Sequence, residues 1–342
     1  MTILKSAVIG CGRIGCEFDY NSNSEIIRTH SKFYHKNPKT SLIALCDIDK
    51  QKLKKFGQYY KVLHIYDNPD KLFSKENIDC VSICTKVDNH LSLVKKAANN
   101  NVRGIFLEKP MTISLHSAKQ IIQICKQKNI ILGINHQRHY DPFYNKISKF
   151  LHKQRFGKIK HVQLFYGGGI ANTGSHMFDI LRFFFGEVKK LKVNSYPVIS
   201  NNSDPNLAIT IEFKNNIYCN MQPVIPENYG IAEMDIFGTK GRLIINLVSN
   251  FTQSFILNKS TGTDYGDLKK FVLPFKALKP ATDISFALQN FINSVINQKE
   301  PKCTGTDGYK SLELIIASLL SFKTKKEQQI PLRKNNYRIT SK

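Results

Sequence analysis

Residues 7–15 read AVIGCGRIG, with Gly10, Gly12 and Gly15 in GxGxxG spacing. An apolar run, ILKSAVIG (3–10), leads straight into them, and Arg13 and Ile14 open a segment of helical character. Glycines at that spacing between a strand and a helix restrict a chain more than any other feature here. Gly10 permits a tight turn, Gly12 lets a pyrophosphate approach the backbone, and Gly15 lets helix and strand pack closely. The amides at the helix start, with their partial positive charge, complete a phosphate-binding end. Gly10, Gly12, Arg13, Ile14 and Gly15 are therefore the first candidate dinucleotide contacts.

The segments that follow fit such a fold. Strand-like runs at 41–46, 79–85, 102–108 and 130–135 alternate with helical stretches at 49–60, 89–100 and 114–128. Short apolar strands separated by helix-length segments indicate βαβ units and a parallel sheet. A carboxylate at the end of the second strand would hold the adenosine ribose and repel a 2′-phosphate, which favours NAD over NADP. LIALCDID supplies Asp47, with Asp49 as the fallback. Asp47 stands 32 residues beyond Gly15 rather than the usual ~20, so EFDYNSNSEIIRTHSKFY is read as an insertion in the first crossover. The competing reading of Asp47 is a helix cap.

After residue 150 the pattern changes. Helical 141–154, strand-like 158–167 and helical 174–185 lead into strand candidates near 188–196, 206–213, 216–223, 231–237, 241–248, 252–257 and 269–273. Turn signals such as KNN and GTKG mark antiparallel hairpins, and two helices close the chain. The expected fold is an α/β Rossmann domain over 1–132, then an α+β domain over 133–342 with an open, mostly antiparallel sheet.

Composition excludes little and permits much. The formal charge of +24 raises nucleic-acid binding, but the basic residues are scattered, as in KQKLKK (50–55), KK (189–190) and KTKK (323–326). They accompany no nucleic-acid fold signature, so a solvated basic surface is the simpler reading. The eight cysteines show no CxxC pair and no metal-ligand spacing, so no metal site is expected. No apolar run reaches the ~20 residues of a membrane helix. A reducing cytoplasm is the expected compartment.

Two further stretches carry chemistry. FLEKPMT places Lys109 at the carboxyl end of a parallel strand, where open α/β sheets bind ligands. GGGIANTGSHMFDIL places His176 and Asp179 on one helix face. Lys109 is open to a second reading as a surface lysine. His176 is open to one as a helix-start histidine, with Asp179 paired to Arg182.

Taken in order, GCGRIG, VSICT…NH, FLEKP, the N-x-x-R of 135–138, GKIKHVQ and GSHMFDIL resemble the glucose–fructose oxidoreductase/inositol dehydrogenase family along essentially the whole chain. The resemblance implies NAD(P)-dependent hydride transfer at a sugar, polyol or nucleotide-sugar carbon, with Lys109 and His176 as the proton-handling pair. It implies Thr85, His90 and Glu108 at the cofactor, and Asn135, Arg138 and Asn172 at the substrate. It also implies a Lys109–Pro110 bond that is often cis, and a homodimer or homotetramer formed through the second sheet. Two positions depart from the pattern: Asn172 stands where the family often has Asp, and Lys86 where it commonly has proline. Some relatives bind dinucleotide or sugar as sensors without turnover, and Asn172 keeps that alternative open.

Overall fold

A computed structural model describes residues 3–194, 204–226, 228–258, 266–333 and 336–339. The chain forms two compact units. The first runs to Tyr140 and takes back Thr282–Leu312; the second holds Asp141–Ala281 and the described residues from Glu313 to Ile339.

The first unit is a six-stranded sheet, paired in parallel throughout: β1 (Leu4–Ile9), β2 (Thr40–Cys46), β3 (His64–Tyr66), β4 (Cys80–Ile83), β5 (Gly104–Leu107) and β6 (Ile131–Ile134). Its order is β3-β2-β1-β4-β5-β6, which places the carboxyl ends of β1 and β4 together at the point where the strand order reverses. Such a switch point is where doubly wound sheets take ligands. β4 and β5 are buried at every residue, as strands covered on both faces must be. The helices are α1 (His30–Lys36), α2 (Lys50–Tyr60), α3 (Pro69–Lys75), α4 (His90–Asn99), α5 (Leu115–Gln127) and α6 (Gln137–Tyr140). The pair β3 and α3 goes unread in the sequence because its strand has only three residues.

One expectation is corrected. No regular helix starts at Arg13: residues 13–16 form turns, and the first α-helix begins at His30. The reason is a splice. Cys16 N–H donates to Gly12 O as in a helix, and His30 N–H then donates to Ile14 O (3.1 Å) and Ser31 N–H to Gly15 O (3.1 Å). His30 lies sixteen residues beyond Ile14 where a helical bond spans four, so twelve residues are looped out of one interrupted helix. Subtracting those twelve from the 32 between Gly15 and Asp47 restores the usual spacing of about 20. The loop is pinned from within by Asp19, which accepts from Arg28 N–H (2.9 Å), the Thr29 hydroxyl (2.8 Å) and buried Lys32 (3.4 Å).

In the second unit, α7 (Pro142–His152) and α8 (Gly174–Phe185) accompany a nine-stranded sheet. Its strands are β7 (Ile159–Tyr166), β8 (Val188–Val193), β9 (Ile209–Phe213), β10 (Tyr218–Pro223), β11 (Ala232–Gly238), β12 (Gly241–Asn246), β13 (Thr252–Leu257), β14 (Leu268–Phe271) and β15 (Gln328–Gln329). They lie in the order β14-β13-β12-β11-β7-β10-β9-β8-β15, with β7–β10 the one parallel pair among the described residues. The first unit is thus a Rossmann fold, and the second has the open, mostly antiparallel sheet expected. Residues 195 and 196 of the expected strand 188–196 lie outside the described residues. Along β10, Cys219, Met221 and Pro223 are buried while Tyr218, Asn220 and Gln222 are exposed, the alternation of a sheet with one covered face.

The return of the chain to the first unit is made by α9 (Ser285–Asn297), followed by the start of α10 (Gly305–Thr324). Helix α9 seats itself on the parallel sheet where a glycine makes room. A Cβ on Gly104 would lie 2.8 Å from the Phe291 ring, which also meets Phe106 at 5.0 Å between centroids.

Candidate functional site

In the glycine loop, Gly10 has φ +100°, and a Cβ there would come within 2.6 Å of Cys84 O at the end of β4. A Cβ on Gly15 would drive into Gly10 O. A Cβ on Gly12 would meet nothing within 4 Å, so the backbone there faces open space. Two glycines are thus demanded by packing, while the third leaves approach room for a ligand. Arg13 is exposed, with its guanidinium 4.8 Å from the Phe18 ring centroid, and Ile14 is half-buried.

At the end of β2, Asp47 accepts from the Cys11 N–H of that loop (2.6 Å) and from Asp49 N–H (2.9 Å). Its carboxylate is therefore held beside the glycine turn. The capping role falls to Asp49, which accepts from Gln51 and Lys52 N–H at the start of α2. Open space at Gly12, an anion fixed beside the loop and a strand-order reversal at that edge together fit a dinucleotide. The pyrophosphate would lie against the glycines and the ribose hydroxyls against Asp47.

Beyond β5 stands Lys109, half-buried, and the Lys109–Pro110 peptide is cis. Its neighbour Glu108 is 7% exposed. The Glu108 Oε1 atom lies 2.9 Å from His30 Nε2 and accepts from Asn135 Nδ2 (2.6 Å); its Oε2 accepts from Lys109 N–H (3.3 Å). Burial pushes this carboxyl up, but the hydrogen bonds from His30 and Asn135 and the Lys109 charge outweigh it, leaving Glu108 below the usual carboxylate range. Behind His30 the chain continues: Nδ1 is 2.8 Å from Ser82 Oγ, which is 2.7 Å from the Tyr34 hydroxyl.

The remaining candidates of this unit divide. Asn135, 2% exposed, is committed to Glu108 through its Nδ2. Its Oδ1 has no hydrogen-bond partner among the described residues. Arg138 is half-buried on α6. Thr85 is half-buried, with its hydroxyl donating to Lys86 O (3.2 Å). The ring of His90, 1% exposed, has its nitrogens 3.1 Å from Met111 O and 3.1 Å from Thr85 O. It braces the loop after β4 against the loop carrying Lys109. His30 was missed from the sequence: it belongs to no motif and sits at the end of an insertion.

In the second unit, Gly168 and Gly169 have φ +82° and +89° and open a π-helical turn, Gly169–Thr173, that runs into α8. Asp204, 4% exposed, accepts from Ala171 N–H (2.8 Å) and Asn172 N–H (3.0 Å), and Asn206 Oδ1 accepts from Gly169 N–H (2.8 Å). A Cβ on Gly169 would strike the Asp204 carboxylate, which is why glycine stands there. Exposed Asn172 donates from Nδ2 to Gly168 O (3.3 Å). His176 is half-buried on the first turn of α8, and Asp179 is buried on the same helix. Arg182 pairs with Glu187 (3.0 Å). Asp204 was also missed, because it lies 35 residues from Gly169 and only the fold brings them together.

Fold and glycine loop together define a dinucleotide-binding α/β protein with a second, sheet-based unit. Comparison narrows this. The model of the oxidoreductase family with an NAD-binding Rossmann fold matches residues 4–136, and that of the family's C-terminal alpha/beta domain matches 146–332. The chain belongs to this oxidoreductase family. It is 23% identical to scyllo-inositol 2-dehydrogenase (NAD(+)) of Bacillus subtilis, over 97% of each chain. It is 24% identical to myo-inositol 2-dehydrogenase of Thermotoga maritima, over 96% of this chain and 98% of that one. Levoglucosan dehydrogenase in complex with NADH and levoglucosan shares its fold, with a TM-score of 0.77, 15% identity and coverage of 96% and 100%.

Proposed function

We propose that the protein is an NAD-dependent dehydrogenase that oxidises a CH–OH group of a sugar, polyol or nucleotide sugar. The observation that carries this is the match of both family models, joined to a glycine loop whose Gly12 faces open space beside the fixed Asp47 carboxylate. The relatives support the substrate class: curated chains that it resembles are named inositol and apiose dehydrogenases, and a WlbA dehydrogenase of the same fold is in complex with NADH and UDP-GlcNAcA.

Asp47 selects NAD over NADP, because a carboxylate accepts ribose hydroxyls and repels a phosphate. The bound nicotinamide supplies the hydride acceptor. Lys109 exchanges the proton of the reacting oxygen, giving it up in the reducing direction and regaining it in the oxidising one, and His176 is its partner acid/base. Asn135 offers its unpaired Oδ1, and with Arg138 and Asn172 it orients the sugar. Thr85, His90 and Glu108 shape and brace the cofactor end. The protein works in the cytoplasm as a homodimer or homotetramer joined through the second sheet.

The test is purified protein with NAD and a panel of inositols, aldoses and nucleotide sugars, followed at 340 nm. Substrate-dependent NADH formation is expected; its absence across the panel, with NADH still bound tightly, would move the reading to a sensor on the same fold. Asn172 motivates that second reading, since an amide cannot carry the proton or charge of a carboxylate.

A further inference from the structure

The Tyr34–Ser82–His30–Glu108–Asn135 chain is buried from end to end, and the reaction proposed above uses only its last members. Tyr34, His30 and Ser82 are each 0% exposed. Every bond is satisfied in one direction: Tyr34 O–H donates to Ser82, Ser82 O–H to His30 Nδ1, and His30 Nε2–H to Glu108. This tautomer follows from the network. Among the described residues, no hydrogen bond carries the chain beyond the Tyr34 hydroxyl, so it serves to hold rather than to conduct. What it holds is a carboxylate accepting three N–H bonds, from His30, Asn135 and the Lys109 backbone. A carboxylate so held stays charged even when buried.

We propose that His30, Glu108 and Asn135 form a buried anionic seat for Lys109, in which His30 and Asn135 fix the carboxylate, and the carboxylate fixes the Lys109 backbone and favours its ammonium. All three are positioning residues in this role. The titratable groups about Glu108 are His30 from α1, His90 from α4, Cys84 after β4, and Lys109 beside it. Lys109 is the cation of its own loop, and attraction between the two is mutual. The seat also gives the helical splice a purpose: without the register kept across the looped-out residues, His30 would not reach Glu108. The proposal rests on Lys109 being the reactive group of the reading above, but its test does not require turnover.

Glu108→Gln keeps size and hydrogen-bond capacity, with the Asn135 amide free to turn, and removes the charge. The ligand-free protein is treated with trace acetic anhydride at constant pH, and acetylation of each lysine is followed by peptide mass spectrometry. The other lysines of the same sample are the reference, which a merely structural role would leave in step with Lys109. Lys109 is expected to acetylate roughly three- to tenfold faster in Glu108→Gln, the effect of losing one adjacent opposite charge. His30→Gln, which retains a donor toward Glu108, is expected to change the rate less than His30→Ala; it also serves if Glu108→Gln fails to fold. A Lys109 rate that stays in proportion to the other lysines in Glu108→Gln and His30→Ala overturns the seat. Wild-type protein that oxidises no sugar overturns only the dehydrogenase reading, because the labelling result stands without it.

Discussion

Removing the looped-out residues should harm this protein less than damaging them. Consider deletion of residues 18–29, joining Glu17 to His30, with Lys32→Ala in the same chain. The bonds from His30 to Ile14 and Ser31 to Gly15 are already those of a continuous helix. Lys32 is replaced because its three acceptors, Asp19, Ser24 O and Ile26 O, leave with the loop. Closing a loop of a dozen residues costs about 2 kcal/mol in chain entropy, which the deletion returns. Against this, Tyr20 no longer meets Phe56 (5.7 Å between centroids) or Tyr59 (5.2 Å), at about 0.5–1.5 kcal/mol per pair. Ile284 N–H also loses Ile27 O, at about 1 kcal/mol. The net change is within about 2 kcal/mol of zero. The single variant Asp19→Ala keeps the loop but takes the carboxylate from a lysine whose side chain is 8% exposed. Stripping one partner from a buried pair costs about 3 kcal/mol or more. The urea midpoint should therefore fall further for Asp19→Ala than for the deletion, and the deletion should still quench or shift NADH fluorescence. The reverse order of midpoints, or a folded deletion variant that no longer binds NADH, would refute the splice.

Other outcomes follow from the site. Lys109→Ala should lower kcat by about 10²–10⁴ while NADH titrates nearly as in the parent; wild-type turnover would remove Lys109 from the chemistry. Asp47→Ala should weaken NAD binding about tenfold and narrow its advantage over NADP, measured by calorimetry with each cofactor. Gly15→Ala should abolish soluble protein or cofactor binding, since its methyl would overlap Gly10 O, whereas Gly12→Ala should fold normally and lose affinity only. Because the Glu108 carboxyl sits below its usual range when folded, it contributes stability above the unfolded value near 4.3 that is lost as pH falls through its folded value. The acid limb of an unfolding curve should therefore flatten in Glu108→Gln, and an unchanged limb would count against the charged state.

What could be read in the sequence was local. The glycine loop announced itself because turn, phosphate approach and close packing act over six residues. β4 and β5 could be read as continuous apolar runs, and α8 lies where its pattern put it, Gly174–Phe185. What could not be read depends on partners far along the chain. Nothing near His30 indicates that Glu108, 78 residues on, receives its ring. Nothing in GGGIANT reveals that Asp204 will close the turn. The expected helix at Arg13 failed for the same reason: its continuation was present, but beyond a loop that no periodicity can bridge.

The return of α9 to the parallel sheet governs how this protein can be divided. A fragment ending after β6 would carry the glycine turn, Asp47 and Lys109, yet strip Phe291 from Phe106 and leave the surface above Gly104 wet. The nucleotide half therefore cannot be cut out at a single point, and its ability to stand alone would be recovered only by grafting the distant helix back behind residue 140.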